Sequence, residues 1–370
     1  MIYIYKSPVP NRILLDANNT IISITSSNGF GFYFRAKIYI DNQLFDEQSW
    51  SRKDNFTAEK DLKKLYNTYY QSFFNPNFIG GLEQQVHMIK KVSITINEHS
   101  IGDDSLIQTK DLPDFYLMYN AKPVIFDDSI KLQFLAIDPN ILQVPATGKI
   151  AIPFMINANN EALLVELKDN FGTVIDAKVK PNFTDKRVYT YNFDFSTVVL
   201  ASGTLYFSLL ITVGTTVISK NIRLFSSPKF DIKEIAFLNN FGYWCFAYLD
   251  GQLSIDNNLD IKTYEELEGS EKVYEINEKQ TYTLNTGALI ASEKDIVNQI
   301  CTALEAKIYL NSSYIKLINA TKKINTYKDR NNLYSENLTF SVRQNNSIDN
   351  PYYAAEDYDS NDYDPNDYTT

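Results

Sequence analysis

The sequence predicts a multi-domain protein built mainly of β-sheet. Aromatic residues, which fit pleated sheets well, are abundant, with 26 Tyr and 23 Phe among 370 residues. Short runs with a hydrophobic residue at every second position recur along the chain, and Asn- and Gly-containing turns separate them. Stretches with the period of a helix are few. Because a domain usually spans about 100 to 200 residues, we expect three modules and an acidic tail.

Residues 1–120 are expected to form an N-terminal α+β module. Period-two patterns predict strands at 21–24, 32–41 and 92–96. Between them, one set of residues has the spacing of a single helical face: Leu62, Leu65, Tyr66, Tyr69 and Phe73. We therefore expect one amphipathic helix, capped by Thr57, to lie across the sheet.

Residues 121–228 are expected to form a β-sandwich of the immunoglobulin or fibronectin kind. Short strands with turn signals between them and no helical period are typical of that architecture. The expected strands are 130–136, 150–156, 162–168, 173–179, 188–195, 204–213 and 216–225. One inner-facing row is expected to consist of Leu205, Phe207, Leu209, Ile211 and Val213.

Residues 229–346 are expected to form a C-terminal α+β module with one helix on a sheet. The module opens with a hairpin, whose two strands flank the turn Asn239-Asn240-Phe241-Gly242. A helix with Ser292 as its N-cap should follow, with a buried stripe of Ile296, Val297, Ile300 and Leu304. The remaining strands are expected at 307–310, 314–318, 322–328 and 333–343.

The opening hairpin contains the densest aromatic cluster of the sequence, within residues 234–252. Large aromatic side chains anchor many protein interfaces, so Phe241, Tyr243 and Trp244 are candidate interface residues. The alternative interpretation of Trp244 is that it fills the core of the C-terminal module.

Residues 347–370 form a tail rich in Tyr and Asp, with almost no aliphatic residues. Such a segment buries too little apolar surface to offset the entropy of ordering, so we expect it to be disordered. Its tyrosines are further candidate interface residues: Tyr352, Tyr353, Tyr358, Tyr363 and Tyr368. The alternative is a tail that only keeps the protein soluble.

Charge and residue content argue against several functions. The formal net charge is −10 and no long run of Lys and Arg occurs, so direct nucleic acid binding is not expected. Cys245, Cys301, His87 and His99 have no metal-binding spacing, so we expect no metal and no cofactor, with both histidines at the surface. Common catalytic motifs are missing and no enzymatic activity is expected, although a glycosidase-type carboxylate pair stays open.

Several segments resemble virion structural proteins of the tail-tip or baseplate type, encoded by phages and prophages of Bacteroidota. The resemblance spans most of residues 20–343. It lies in FRAKIYIDNQLF at 34–45, EIAFLNNFGYW at 234–244, YTLNTG at 282–287, IYLNSSYIKLI at 308–318 and INTYKDRNNLYSENLTFSV at 324–342. It implies a structural role without catalytic residues.

The function expected from the sequence is therefore a phage virion structural protein of the tail tip, baseplate or fibre connector. Its partners would be other virion proteins, including copies of itself in a ring or fibre, and its location would be the virion, assembled in the host cytoplasm. With no signal peptide and no long apolar run, we expect no membrane insertion. The alternative is a carbohydrate-binding or receptor-binding adhesive protein that contacts a host-surface glycan.

Overall fold

The computed structural model describes residues 1–15, 20–29, 31–50, 52–54, 57–63, 74, 80–121, 126–135, 141–158, 160–183, 187–225, 228, 230–265, 269, 271–290, 293–323 and 333–343. These residues contain 27 strands and one α-helix, and the expectation of a multi-domain, mainly β protein is confirmed. Outside them lie the expected helical residues 64–73, the N-cap Ser292, most of the expected strand 322–328 and the tail 347–370 with its five tyrosines.

Ten strands precede the sandwich. They are β1 (Ile2–Lys6), β2 (Ile13–Leu15), β3 (Ile21–Ser26), β4 (Phe32–Ile40), β5 (Gln43–Trp50), β6 (Thr57–Asp61), β7 (Gly81–Gln84), β8 (Ile89–Ser100), β9 (Leu106–Asp111) and β10 (Phe115–Met118). Nine of them form two sheets, in the orders β1-β3-β6 and β2-β10-β8-β4-β5, with β9 paired to β8.

The core of the N-terminal module lies between these two sheets. Ile22 and Ile24 of β3 pack against Phe34, Ile38 and Ile94 of the larger sheet, and all five side chains are buried. The alternation in β4 follows the period-two pattern, because successive side chains of a strand point to opposite faces. The expected helix cap is wrong, however, since Thr57 begins β6 and pairs with Thr25 of β3.

The sandwich consists of two sheets around one core. Its strands are β11 (Leu132–Phe134), β12 (Ile141–Val144), β13 (Lys149–Ile156), β14 (Glu161–Asp169), β15 (Val174–Phe183), β16 (Arg187–Asp194), β17 (Tyr206–Val213) and β18 (Thr216–Leu224). The sheet orders are β11-β13-β16-β7 and β12-β18-β17-β14-β15. All seven expected strands are present, and the expected β-sandwich is confirmed.

Two strands of the sandwich have no counterpart in the prediction. β12 pairs in parallel with β18, and β7, which precedes residue 120 in the chain, pairs with β16. The inner row of β17 is also one residue shorter than expected. Phe207, Leu209, Ile211 and Val213 are fully buried, but Leu205 precedes the strand and is exposed.

The C-terminal module is a seven-stranded sheet with one helix. Its elements are β19 (Lys233–Leu238), β20 (Trp244–Leu249), β21 (Leu253–Glu265), β22 (Glu271–Asn285), β23 (Leu289–Ile290), α1 (Lys294–Thr302), β24 (Ala306–Leu310), β25 (Ser313–Asn319), β26 (Leu333–Tyr334) and β27 (Asn337–Arg343). The sheet order is β20-β19-β24-β25-β27-β22-β21, and β23 pairs with β26.

The α1 helix packs Val297 and Ile300 into the core of this sheet, as the stripe predicts, with Ile296 at the edge of the core. The prediction that Leu304 belongs to this buried stripe is wrong. The helix ends at Thr302, so Leu304 lies beyond its last turn and is exposed. Glu293, and not the predicted Ser292, occupies the N-cap position, and its side chain makes no capping hydrogen bond.

The hairpin of β21 and β22 is longer than the rest of the sheet. β27 pairs with β22 only from Lys279 to Asn285, so residues 259–265 of β21 and 271–278 of β22 pair only with each other among the described residues. We call these two segments the arm. At about 3.3 Å per residue, the arm extends roughly 25 Å beyond the paired sheet.

Candidate interface site

The turn between β19 and β20 is held together by Asn239. Its Oδ1 atom accepts hydrogen bonds from the backbone N–H groups of Phe241 and Tyr243, both at 3.0 Å. Its Nδ2 atom donates to the carbonyl oxygen of Leu135 in the sandwich at 3.0 Å. Gly242 completes the turn with a φ of 80°, a backbone conformation that favours glycine. One buried side chain therefore shapes the turn and ties it to the neighbouring module.

This turn inserts into an apolar cluster where three modules meet. We call it the junction cluster, and its buried members are Ile13, Leu15, Met88, Met118, Leu135, Met155, Val188, Phe241 and Tyr243. The first four precede residue 120, the next three belong to the sandwich, and the last two come from the turn. Phe241 and Tyr243, predicted as interface residues, thus lie in an interface between modules of the same chain.

Polar contacts surround the junction cluster. The carbonyl oxygen of Asn240 accepts a hydrogen bond from the N–H of Ala121 at 2.7 Å. Asp128, which is almost fully buried, accepts from the N–H of Ile13 at 2.8 Å and forms an ion pair with Arg12 at 2.5 Å. A buried carboxylate needs such partners, because leaving its charge unpaired costs several kcal/mol. These contacts connect the residues on either side of position 120.

The two faces of β20 pack against different modules. Cys245 and Ala247 belong to the core of the C-terminal module. On the opposite face, Tyr248 belongs to the core cluster of the sandwich, and Phe246 packs against it. Burial raises the pKa of the Cys245 thiol to about 12, so this side chain behaves as a small hydrophobic group. The aromatic face of the hairpin is therefore an inter-module surface.

Trp244 lies on that same face and is half-buried, outside the core of its own module. Its ring lies 4.6 Å from the ring of Phe74, between centroids, and Phe74 in turn contacts Tyr314 at 4.8 Å. The Lys307 ammonium lies 4.1 Å from the Phe74 ring and 4.9 Å from the Trp244 ring. Burial lowers the pKa of Lys307. Trp244 therefore takes part in a cation–π stack with a residue of the N-terminal segment.

The Glu234 carboxylate lies between the hydroxyl groups of Tyr248 and Tyr314. Glu234 accepts a short hydrogen bond from the Tyr314 hydroxyl, and the Tyr248 hydroxyl lies 3.1 Å from its other oxygen. The Tyr248 hydroxyl also accepts from the N–H of Lys149 at 2.5 Å and lies 3.0 Å from the Lys149 carbonyl oxygen. Burial, followed by the negative charge of Glu234, raises the pKa of Tyr248; for Tyr314 the causes are burial and then its hydrogen bond to Glu234.

These tyrosines border an open groove between the sandwich and the C-terminal module. Its volume is about 720 Å³, and its lining includes Phe230, Tyr309, Tyr314, Asp231 and Glu234. Phe230 and Tyr309 are both 43% exposed, so their rings are accessible from solvent. The groove combines aromatic rings with carboxylates. Aromatic rings pack against the C–H faces of sugars, and carboxylates accept hydrogen bonds from sugar hydroxyls.

Neither histidine lines the groove or belongs to the junction cluster. His87 is exposed, as expected, whereas His99 is buried, which corrects the prediction for that residue. The ring of His99 stacks on Tyr33 at 5.5 Å, and its Nδ1 atom lies 3.0 Å from the carbonyl oxygen of Asp104. Within the described part of the chain, no group of three or more His, Cys, Asp and Glu side chains is placed to hold a metal ion.

The sequence identified Phe241, Tyr243 and Trp244 but missed Asn239 and Asp128. For Asn239 a signal exists, because Asn two residues before a turn position often hydrogen-bonds the backbone ahead of it. Asp128 carries no such signal, since its partner Arg12 is more than 100 residues away. The tail tyrosines lie outside the described residues.

A scan against models of known protein families gives no match, and a search of curated proteins gives none either. Among the described residues, no helix has the length and apolar character needed to cross a membrane.

Proposed function

We propose that this chain is a structural protein of a phage virion, in the tail tip, baseplate or fibre connector, where it joins neighbouring subunits. The observation that carries the proposal is the junction cluster, in which buried side chains of three modules form one apolar core. A connector must hold its modules at fixed angles while forces act on it, and a packed core resists such rearrangement. The resemblance of most of residues 20–343 to proteins of the tail-tip or baseplate type also supports this proposal.

The proposed partners are other virion proteins, including further copies of this chain in a ring or fibre. No catalytic step is part of the proposal, nor is contact with nucleic acid or insertion into a membrane. The proposed location is the assembled particle.

Mass spectrometry of purified particles tests this function. We expect the chain to be present at a fixed ratio to the other structural proteins across the fractions of a density gradient. A matched control is the unassembled protein fraction of the same lysate, where that ratio should vary. Absence of the chain from the particles, or a ratio that changes between fractions, would contradict the proposal.

The groove beside Glu234 favours a second function, binding of a glycan on a host surface. Exposed aromatic rings at Phe230 and Tyr309 flank the carboxylates of Asp231 and Glu234. Aromatic residues supply large contact area together with polar partners, which suits a ligand with apolar C–H faces and hydroxyls.

A glycan array probed with the purified full chain tests this alternative. Tyr309→Ala should abolish any binding seen with the wild type, because it removes an exposed ring of the groove. Phe171→Ala is the matched control, since Phe171 is an exposed aromatic residue of a sandwich turn, away from the groove. Binding that Tyr309→Ala leaves intact would rule out this groove as the glycan site.

A further inference from the structure

The sandwich presents one sheet face on which apolar side chains form a row across neighbouring strands. Val179 of β15 is opposite Leu164 of β14. Leu164 is in turn opposite Thr212 of β17, and Thr212 is opposite Val217 of β18. In β14 and β17 the adjacent residues are buried in the core, so the row points away from it. Val179 and Val217 are 65% and 53% exposed, although the outside of an antiparallel sheet usually carries polar residues.

The side chains around this row carry no net charge. We call the outward side chains of four segments the outer sandwich face: residues 164–168, 174–179, 208–212 and 217–221. Its two charged side chains, Glu166 and Lys168, form an ion pair with each other at 3.0 Å. Asp176, Lys178 and Lys220 lie opposite core residues and point inwards. Covering the face therefore leaves no charge on it without an opposite charge nearby.

The other sheet of the sandwich shows what outward apolar side chains do in this chain. Met155 of β13 and Val188 of β16 alternate with residues of the sandwich core, so they point away from it. Both are buried in the junction cluster, where other modules cover them. Val179 and Val217 have no comparable cover and stay more than half exposed. The chain thus covers one of the two sheets itself, and the outer sandwich face is left for a partner.

The order of residues in the row fits a second copy of the same chain. Across the four strands the row reads Val, Leu, Thr and Val, with a valine at each end. A two-fold axis parallel to the strands, between β14 and β17, brings this row onto itself. Val179 then faces Val217 of the other copy, and Leu164 faces Thr212. Two-fold interfaces use the same patch on both copies, and a face of zero net charge does not repel its own copy.

We infer that two copies of this chain pack against each other through the outer sandwich face, related by this two-fold axis. Strands about 4.8 Å apart, with outward residues about 6.8 Å apart along each, give a contact of roughly 400 Å² per copy. Stable complexes bury about 1,200–2,000 Å² in total, so this contact is weak and reversible. The inference rests on the proposed function only in that copies of this chain are among the proposed partners. A two-fold contact closes at a dimer, so a ring or fibre would be built from pairs.

Sedimentation velocity of the full chain over a dilution series tests the inference. We expect the weight-average sedimentation coefficient to rise with protein concentration, as it does for a reversible dimer. The variant Val179→Lys/Val217→Lys should lose this rise, because lysines of the two copies would then face each other. Circular dichroism checks that the variant folds, which is expected because both positions are exposed.

The matched control is Val9→Lys/Val86→Lys. These valines are 59% and 53% exposed, and they lie outside the strands of the outer sandwich face. The substitution adds the same charge to the chain, so a general effect of charge on association would appear here as well. We expect this variant to associate as the wild type does.

Crosslinking tests the two-fold arrangement. The native thiols of Cys245 and Cys301 are buried, so a bis-maleimide reagent should react at introduced thiols. A mixture of Val179→Cys and Val217→Cys chains should give more crosslinked dimer than either variant alone, because the axis places these two positions opposite each other. A mixture of Val9→Cys and Val86→Cys chains is the control and should give no dimer.

Three results would overturn the inference: a sedimentation coefficient that does not change with concentration, association that Val179→Lys/Val217→Lys leaves intact, or equal crosslinking in the control mixture. It would also fail if Val179→Cys crosslinked to a different protein in purified particles, since the occupant would then be that protein. Mass spectrometry of particles reports separately on the proposed function, because it measures presence in the virion and not association in solution.

Discussion

Phe241 in the junction cluster is 7% exposed, whereas Leu259 in the arm is 59% exposed, although the same module contributes both residues. In the junction, side chains from three parts of the chain cover the aromatic turn. In the arm, the apolar stripe extends beyond the part of β22 that pairs with β27 among the described residues. Apolar content alone therefore does not distinguish a buried core from a solvent-exposed apolar stripe.

Apolar residues contribute differently to stability in the junction cluster and in the arm. Fully burying a large apolar side chain stabilises a fold by roughly 1.5–3 kcal/mol, so the junction contributes to the stability of the chain. The stripe on the arm contributes little until something covers it. Mutations in the two regions should therefore differ in which property they change.

The largest expected effect is that of Phe241→Ala. This change leaves a cavity where three modules meet, and it should lower the free energy of unfolding by about 3–5 kcal/mol. Denaturant unfolding followed by tyrosine and tryptophan fluorescence measures it. The exposed Phe171→Ala should change the same quantity by no more than about 0.5 kcal/mol. An equally small effect at Phe241 would mean that the junction does not stabilise the chain.

Asn239→Ala should follow, with a loss of about 2–3 kcal/mol. The change leaves the buried N–H groups of Phe241 and Tyr243, together with the Leu135 carbonyl, without their partner. Asn239→Asp keeps the acceptor for the two N–H groups but buries a negative charge against the Leu135 carbonyl oxygen. We expect denaturant unfolding at pH 7 to show that Asp is at least as damaging as Ala, and a milder effect of Asp would mean that the two N–H hydrogen bonds outweigh the buried charge.

The pattern of hydrophobic residues predicted most of the fold within each module. In β4 and β17 the period-two pattern and the burial agree, because each strand has one face in a core. The sequence did not predict β7 and β12, and the reason lies in their pairing. Both are four-residue strands that join sheets built mostly from distant segments, so no local period marks them.

The sequence predicted the candidate site only in part, because contacts between distant segments leave no local pattern. Aromatic density identified Phe241, Tyr243 and Trp244, but what each residue packs against depends on contacts across modules. Trp244 was the open case, and the structure places it opposite the core of its own module, against Phe74. Such a contact joins residues 170 positions apart, and no local pattern indicates it.

Trp244→Ala should therefore be milder than a core mutation. The side chain is half-buried and stacks on Phe74 and Lys307, so we expect a loss of about 1–2 kcal/mol in the free energy of unfolding. Trp244→Phe keeps an aromatic ring and should lose less. Denaturant unfolding followed by far-UV circular dichroism checks both variants, and a loss near 4 kcal/mol for Trp244→Ala would indicate a role in a core.

Tyr248→Phe should cost about 1 kcal/mol at pH 7, because it leaves the N–H of Lys149 without its hydroxyl acceptor. Tyr206→Phe, at an exposed position, is the control and should change stability by no more than about 0.5 kcal/mol.

Alkaline pH probes the same contact. Burial is the largest cause that raises the folded-state pKa of Tyr248 and Tyr314, and the interaction with Glu234 is the next largest. In the unfolded chain, tyrosine titrates near pH 10. The stability that comes from the neutral phenols is therefore fully present below about pH 10 and is lost as the pH rises towards the raised pKa. The double Tyr248→Phe/Tyr314→Phe variant should show a shallower decline above pH 10, and an identical decline would contradict this assignment.

The smallest expected effect on stability is that of Leu259→Thr/Ile261→Thr in the arm. Both side chains are already largely in solvent, and threonine has the β-branched shape that strands favour. The free energy of unfolding should therefore change by no more than about 0.5 kcal/mol in denaturant titration. Solubility should rise instead, since a long open edge with apolar side chains is prone to association. If these substitutions cost as much as Phe241→Ala, residues of the chain itself would already cover the arm, and the contrast between the two regions would be lost.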